Sequence, residues 1–436
     1  MRLAGRIAAA IEVLADIQTR HRPVAEALRD WGLSHRFAGS GDRAAIGNLV
    51  YDTLRHRASL AWRMDADTPR ALALGAAVVH GGAQAAGLND QFAGDRHAPD
   101  ALSESELAQL TAAGLSGAPD WVSADIAEWT APLFEETFGA AWPDEARALA
   151  ERPPLDLRVN TLKAEPDKVA RQLARLGVVH CPYAPNGLRV PASTGDRRHP
   201  NIQSEEAFRR GRIEVQDEGS QIAALLVRAS PGDQVLDLCA GAGGKTLALA
   251  AAMQNKGQIY AYDADRNRLA AIYERVKRAD VRNVQIRPPG PKALGGADAL
   301  AGLEGHMDRV LVDAPCSGSG VWRRRPDAKW RLSAEALDRR TGEQAKALAE
   351  AAVFVKPGGS LVYVTCSLFA RENSVPVAAF LAGRDDFTAC DMGAVWREAF
   401  GAGIEPPRHC GTDHVILSPA STATDGFFIA ALKRNG

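Results

Sequence analysis

Cys316 and Cys366 are the side chains of this sequence best placed to bond covalently to a substrate. The first sits in Asp313-Ala314-Pro315-Cys316-Ser317-Gly318-Ser319-Gly320, the second in Thr365-Cys366-Ser367. Each follows a run of apolar, strand-forming residues, Val310-Leu311-Val312 and Leu361-Val362-Tyr363-Val364. In an open parallel sheet, ligands collect beyond the carboxyl ends of the strands, so both thiols are delivered to the edge where chemistry is expected. Taken singly, a cysteine near a strand end is more often a small core hydrophobe, and that is the reading for Cys181, Cys390 and Cys410. Cys239 is expected to pack rather than react. His409 and His414 flank Cys410, but their spacing fits no standard metal site, and no metal is expected.

A glycine loop lies upstream: Val235-Leu236-Asp237-Leu238-Cys239-Ala240-Gly241-Ala242-Gly243-Gly244-Lys245-Thr246 reads as strand, tight loop and helix start. Glycines admit positive φ and close backbone approach, and the free N–H groups of a helix start favour an electron-rich partner. Three ligands compete. A phosphate-binding P-loop requires glycine where Cys239 stands. A dinucleotide fingerprint fits at Gly241 and Gly243 but meets Thr246 at its sixth position. S-adenosylmethionine asks for such a loop and for an acid after the next strand to hold the ribose hydroxyls. Asp263 follows Gly243 by 20 residues, near that spacing.

Beside a methyl donor, two thiols and an acid have a specific use. Carbon 5 of cytosine is a poor nucleophile; adding a thiolate to carbon 6 makes it enamine-like and able to attack a methyl group. A carboxylic acid at the ring's N3 eases that addition. A second thiol can assist the later loss of the carbon-5 proton and of the first thiol. Cys366, Asp313 and Cys316 can supply these functions.

The 436 residues allow two or three domains. With 46% hydrophobic and 24% charged residues the chain reads as a globular, soluble protein. No apolar run reaches the ~18 residues of a membrane span, and the N-terminus, with Leu3, Ile7, Ile11, Leu14 and Ile17 at helical spacing, is no secretory signal. Six cysteines without paired spacing predict reduced thiols and a cytoplasmic protein. A net charge of −1 gives no global support for nucleic-acid binding.

Residues 1–145 read as an all-helical domain. One of its helices is predicted to open at Asp42 as N-cap and to carry Ile46, Val50, Leu54 and Ala58 on one face, with Arg43, Arg55 and Arg57 on a solvated face. Residues 87–105 read as a surface loop. Arg152-Pro153-Pro154 marks a boundary. Residues 150–212 read as a small α+β module, with strands at 155–160 and 187–190 and a helix at 167–176. Residues 213–436 alternate strands (235–238, 258–262, 284–287, 309–312, 361–364, 427–432) with helices (245–253, 266–279, 334–355, 374–381). That order predicts an α/β, doubly wound, mainly parallel sheet.

The glycine loop, the Pro-Cys segment and Thr365-Cys366-Ser367 together resemble the RsmB/NOP family of RNA cytosine-5 methyltransferases. So do Leu157-Arg158-Val159-Asn160-Thr161-Leu162-Lys163, Gln216-Asp217-Glu218-Gly219-Ser220-Gln221, Arg325-Pro326-Asp327-Ala328-Lys329-Trp330 and Asp425-Gly426-Phe427-Phe428. Residues 1–145 resemble, more weakly, the NusB-like helical domain of the bacterial RsmB branch. The resemblance implies a class I, Rossmann-like methyltransferase domain. It makes Cys366 the nucleophile and Cys316 the thiol that assists product release. Asp313, and with it Lys245, would contact the cytosine ring. The cofactor S-adenosylmethionine would be lined by Cys239, Ala240, Gly241, Ala242, Gly243, Gly244, Lys245, Asp313, Asp263 at the ribose, and Arg268 nearby. Two positions depart from the family pattern: Ala242 stands where proline is usual, and Ile286-Arg287-Pro288-Pro289-Gly290-Pro291 offers no acid for the adenine.

The partner implied is RNA, most naturally ribosomal RNA, bound by a monomer with no membrane contact. Arg323, Arg324, Arg325, Lys329 and Arg331, interleaved with Trp322 and Trp330, are the expected phosphate and base contacts, and the target cytosine is expected to be unpaired or flipped. Two other readings stand beside this one. A DNA cytosine-5 enzyme would use the Pro-Cys cysteine as nucleophile, and an RNA-binding assembly factor would keep the fold without catalysis.

Overall fold

The computed structural model describes residues 1–112, 114–192, 195, 200–290 and 299–436. The described residues form two compact units. One comprises Met1–Pro153 with Val321–Leu332; the other contains Pro154–Ala192, His199–Gly320 and Ser333–Gly436.

The first unit is helical. Helices Leu3–Arg20, Val24–Ser34, Ser40–Arg55, Arg57–Met64 and Pro69–Val79 bury Ile7, Leu14, Ile46, Val50, Leu54, Leu60 and Leu72. Thr68 caps Pro69–Val79 by accepting the Ala71 N–H, with proline in the first turn where no N–H is needed. Asp42 is not the N-cap expected of it: the helix opens at Ser40, and the Asp42 carboxylate instead accepts from Arg6 and the N-terminal ammonium. The predicted apolar face is buried, but a break at His56 places Ala58 in the next helix. Arg55 is not solvated; it is buried against Asp52 at 3.0 Å. Part of the expected loop is helical, over Leu88–Ala93. Among the described residues no helix is long and apolar enough to cross a membrane.

The Val321–Leu332 segment corrects the expected RNA contacts. Trp322 is fully buried, edge-on to Phe134 at 5.8 Å. Lys329 is 1% exposed, and its ammonium donates to the Arg55 carbonyl at 2.9 Å. The Trp330 indole donates to the Leu54 carbonyl at 2.6 Å, and Arg331 pairs with Asp327 at 2.7 Å. These side chains hold the helical unit together.

The second unit contains two sheets. In the smaller, strands β1 (Leu155–Val159), β2 (Val179–His180), β3 (Gly187–Val190) and β4 (Ile213–Val215) are ordered β2-β3-β1-β4, all antiparallel. Strand β4 begins beyond residue 212, so this sheet reaches into the segment assigned by sequence to the parallel one. Glu214 of β4 pairs with Arg275 at 3.0 Å and Arg278 at 2.5 Å, and the Asn160 amide donates to the Ala279 carbonyl at 2.8 Å. Helix Ile272–Ala279 is therefore the surface on which the small sheet rests.

The larger sheet is mainly parallel over its first five strands: β5 (Gln234–Asp237), β6 (Gln258–Ala261), β7 (Val284–Ile286), β8 (Met307–Asp313) and β9 (Val355–Thr365). Strands β10 (Phe387–Ala389), β11 (His409–Cys410), β12 (Val415–Leu417) and β13 (Phe427–Arg434) add an antiparallel flank. The order is β11-β12-β13-β9-β8-β5-β6-β7, with β10 on β13. Val235, Leu236, Val310, Leu311, Leu361 and Val362 are buried on both faces, as a sheet covered on two sides requires. Between β5 and β8 the strand order reverses, which opens a crevice at their carboxyl ends.

Candidate active site

Four strand ends build the site. Strand β5 runs into the glycine loop, β6 into Asp263, β8 ends at Asp313 and β9 leads directly into Cys366. The two predicted thiols meet: Cys316 Sγ lies 3.4 Å from Cys366 Sγ, and both residues are partly exposed. The Cys316 thiol is held well above its ordinary value by its hydrogen bond with Cys366, then by burial and by the charge of Glu372. The two sulfurs therefore hold a proton between them.

Lys245 and Asp313 also meet. The ammonium is 2.6 Å from Asp313 Oδ2 and lies over the Phe427 ring, 5.2 Å from its centre. Lys245 is 7% exposed and Asp313 34%. The lysine is thus tucked beneath an acid that faces outward, an arrangement able to hold an acceptor at a bound ring.

The glycine loop closes on the acid after β6. Asp263 Oδ2 accepts the Gly241 N–H at 2.9 Å, its Oδ1 accepts the Asp265 N–H at 2.8 Å, and Arg268 Nη2 stands 3.8 Å away. Gly243 has φ of 83°, and a Cβ there would lie 2.4 Å from Ile272 Cγ1. Its glycine is demanded by packing on the helix behind it, which also makes it the hinge into helix Gly244–Ala252. Ala242 is exposed, and its carbonyl accepts from Arg275. Ala240 is buried. Burial pushes the Cys239 thiol up, with Asp237 adding to it, as suits a packing cysteine. The stretch around Gly290 shows no acid up to that residue; Pro291 and the residues to 298 lie outside the described ones.

A model of the 16S rRNA methyltransferase RsmB/F family matches residues 224–433, and the RsmF/B-like ferredoxin-like domain matches residues 126–194. The probable ribosomal RNA small subunit methyltransferase B of Synechocystis is 33% identical over 313 residues, which cover 70% of this chain and 66% of that protein. The ribosomal RNA small subunit methyltransferase B of Xanthomonas campestris is 33% identical over 319 residues, 71% of this chain and 68% of its own. The chain thus spans about two thirds of the length of the curated relatives it matches. The chain belongs to the RsmB/F methyltransferase family. Among solved structures, that of PH0851 superposes with a TM-score of 0.73 at 25% identity, covering 100% of this chain and 99% of that one.

The motifs that resembled this family in the sequence are those the fold brings to one edge, and the sheet is that of S-adenosylmethionine-dependent methyltransferases. The residues of the RsmB/F site fit that cofactor. At Gly241, with φ 50°, a Cβ would stand in contact with Arg268 Nη2 at 3.6 Å and Asp263 Oδ2 at 3.8 Å, so only glycine leaves the space between these two side chains to a ligand. Behind the loop, Asp237 keeps one carboxylate oxygen without a partner, and burial pushes it up to about 7.

Sequence reasoning missed the frame beneath the RsmB/F thiols. Glu372, Asn373, Gln344, Ser317, Ser319 and Ser367 form one buried network behind Cys316 and Cys366. The signal was there: a Glu-Asn pair follows the Thr-Cys-Ser segment and precedes the apolar helix Ser374–Ala382. The cluster of Asp156, Cys181 and Glu218 is close enough to hold a cation. It already surrounds the Arg189 guanidinium, at 2.7 Å from Asp156 and 3.2 Å from Glu218.

Proposed function

We propose that this protein methylates carbon 5 of a cytosine in small-subunit ribosomal RNA, with Cys366 as nucleophile and Cys316 as the thiol that ends the reaction. The observation that carries the reading is the pair of sulfurs 3.4 Å apart, reached from β8 and β9, with Asp313 at the end of β8. Family membership supports the ribosomal substrate, since the relatives are named for small-subunit ribosomal RNA.

Asp263 and the Gly241–Gly244 loop would hold the cofactor, which supplies an electrophilic methyl group when bound. The Cys366 sulfur adds to carbon 6 of the ring, and the ring electrons shift onto carbon 5. Asp313, positioned by Lys245, accepts from the ring's exocyclic amino group and, where N3 carries a proton, from N3–H, so that this addition costs less. Carbon 5, now nucleophilic, takes the methyl group. The remaining carbon-5 proton then passes to water, the ring electrons return to the carbon 5–carbon 6 bond, and the carbon–sulfur bond breaks to release the Cys366 thiolate. Cys316 stands at the sulfur being expelled. A proton on Cys316 can pass to that departing thiolate.

The test is a pair of single variants assayed on small-subunit ribosomal RNA. Cys366→Ala is expected to lose methylation by at least about 10³-fold and to form no adduct. Cys316→Ala is expected to accumulate a denaturant-resistant protein–RNA adduct, read as a gel shift. An adduct that persists in Cys366→Ala and vanishes in Cys316→Ala reverses the two roles. Wild-type protein that neither methylates nor forms an adduct leaves the assembly-factor reading.

A further inference from the structure

Glu372 is 0% exposed, and among the described residues it has no ion pair. A buried carboxylate without a cation is costly unless donors surround it. Here they do, and they come from both thiol loops. Glu372 Oε1 accepts the backbone N–H of Ser317 at 2.7 Å and the Gln344 amide at 3.1 Å. Its Oε2 accepts the Ser367 hydroxyl at 2.5 Å and the Ser317 hydroxyl. Ser317 is the residue after Cys316, and Ser367 the residue after Cys366. One carboxylate therefore grips the neighbour of each sulfur.

Other bonds tie the same two loops around it. The Gly320 N–H donates to the Cys366 carbonyl at 2.9 Å, and the Leu368 N–H to the Ser319 hydroxyl oxygen at 2.8 Å. Gln344 also donates to the Pro315 carbonyl at 2.9 Å, reaching the Cys316 loop from helix Ala334–Phe354. The glutamate is itself anchored, since the Tyr363 hydroxyl of β9 donates to its backbone carbonyl at 2.7 Å. Asn373 completes the frame, donating to the Ser367 carbonyl at 2.9 Å and accepting the Thr365 hydroxyl at 2.6 Å.

We propose that Glu372 is a positioning residue of the two-thiol site: it locks the Cys316 loop to the Cys366 loop and so fixes the distance between the attacking and the releasing sulfur. This rests on the proposed cytosine reaction. The reason for a carboxylate here is geometric. Its two oxygens accept four bonds from two loops at once, and no neutral side chain of that size accepts as many. Fixing reacting atoms in advance is worth much in rate, and a misplacement of about 1 Å costs about 10²-fold. The charge of Glu372 also raises the Cys316 thiol.

The experiment compares Glu372→Gln, Glu372→Asp and Ser317→Ala in the full chain. Glutamine preserves shape but turns a donor toward donors; aspartate preserves charge but is too short to reach both loops. Both are expected to lower kcat by about 10²-fold, with KM for RNA and the calorimetric Kd for S-adenosylmethionine within about 3-fold of wild type. Ser317→Ala, which removes one hydroxyl arm, is expected to lower kcat by about 5-fold with the same binding constants. In a Cys316→Ala background, Glu372→Gln should slow adduct formation by a factor like that on kcat.

Wild-type kcat in Glu372→Gln overturns the proposal. If that variant loses cofactor binding and therefore its fold, Ser317→Ala decides, and an unchanged kcat there overturns it too. The reaction itself is judged separately by Cys366→Ala: a dead Cys366→Ala beside a fully active Glu372→Gln removes this inference alone, whereas an active Cys366→Ala removes the proposed reaction.

Discussion

At Gly320 the chain passes from one use of polar side chains to another. On the near side, Cys316 and Cys366 face each other at 3.4 Å, partly exposed, and Asp313 points its carboxylate outward over Lys245. On the far side, Trp322, Lys329 and Trp330 belong to the helical unit. There the Lys329 ammonium and the Trp330 indole donate to the carbonyls of Arg55 and Leu54, which lie in the last turn of helix Ser40–Arg55. A helix leaves those last carbonyls without partners of its own. The second region thus consumes its donors in finishing a helix, whereas the first leaves its reactive atoms addressed to one another and to the outside. Residue type alone does not distinguish a substrate contact from a structural one; the distinction lies in whether the chain already supplies the partner.

The two regions are expected to differ most in turnover. Lys245→Met removes the cation under Asp313 and is expected to lower kcat by about 10²- to 10³-fold. Trp330→Phe, in the other region, is expected to leave kcat within about 3-fold while lowering thermal stability by about 1 kcal/mol for the lost indole bond. Steady-state rates and melting of the two variants side by side check this. A Trp330→Phe enzyme that melts like wild type but loses turnover would return the segment to the RNA.

A smaller effect is expected at the loop. Asp263 is buried and already accepts from Gly241 and Asp265, so Asp263→Asn keeps the shape while removing the charge. Calorimetry is expected to show S-adenosylmethionine binding weakened by about 10- to 100-fold, the worth of hydrogen bonds to a charged acceptor. Unchanged affinity removes Asp263 from the ribose site.

Much of the catalytic unit was legible in the sequence because its signals are local. Strand β8 before Pro315-Cys316, strand β9 before Cys366 and the glycines before Lys245 each announce themselves within a dozen residues. The mainly parallel sheet followed from the alternation of strands with helices. What was not legible depends on contacts between distant segments. Gly243 reads as a ligand glycine until Ile272 is found against it. The antiparallel flank of β10, β11 and β12 consists of strands too short to carry a periodic pattern. Glu372 reads as an ordinary surface acid until its four donors are seen. Lys329 and Trp330 misled for the same reason, since their acceptors lie in a helix far upstream in the chain.

Lys329 makes the stability of the helical unit depend on pH. Burial lowers its ammonium from 10.5 to about 8, the Asp125 charge opposing this and Arg55 adding to it. Between those two values the unfolded chain binds a proton that the folded chain lacks, so stability rises with pH across that window. The cost of the buried charge is fully present below about 8 and is relieved as the pH climbs toward 10.5. From pH 7.5 to 9.5 the wild-type protein is expected to gain about 2 kcal/mol relative to Lys329→Met, whose side chain carries no charge to relieve. Denaturant melts of both proteins at the two pH values measure the difference of differences, in which every other titrating group cancels. Parallel curves would mean that the Lys329 ammonium is hydrated in the folded protein, and with it the claim that this segment spends its cations internally would fail. A gain confined to the wild type would show this ammonium withdrawn from water in the folded helical unit, and leave the sheet edge as the place where this chain keeps its groups for a substrate.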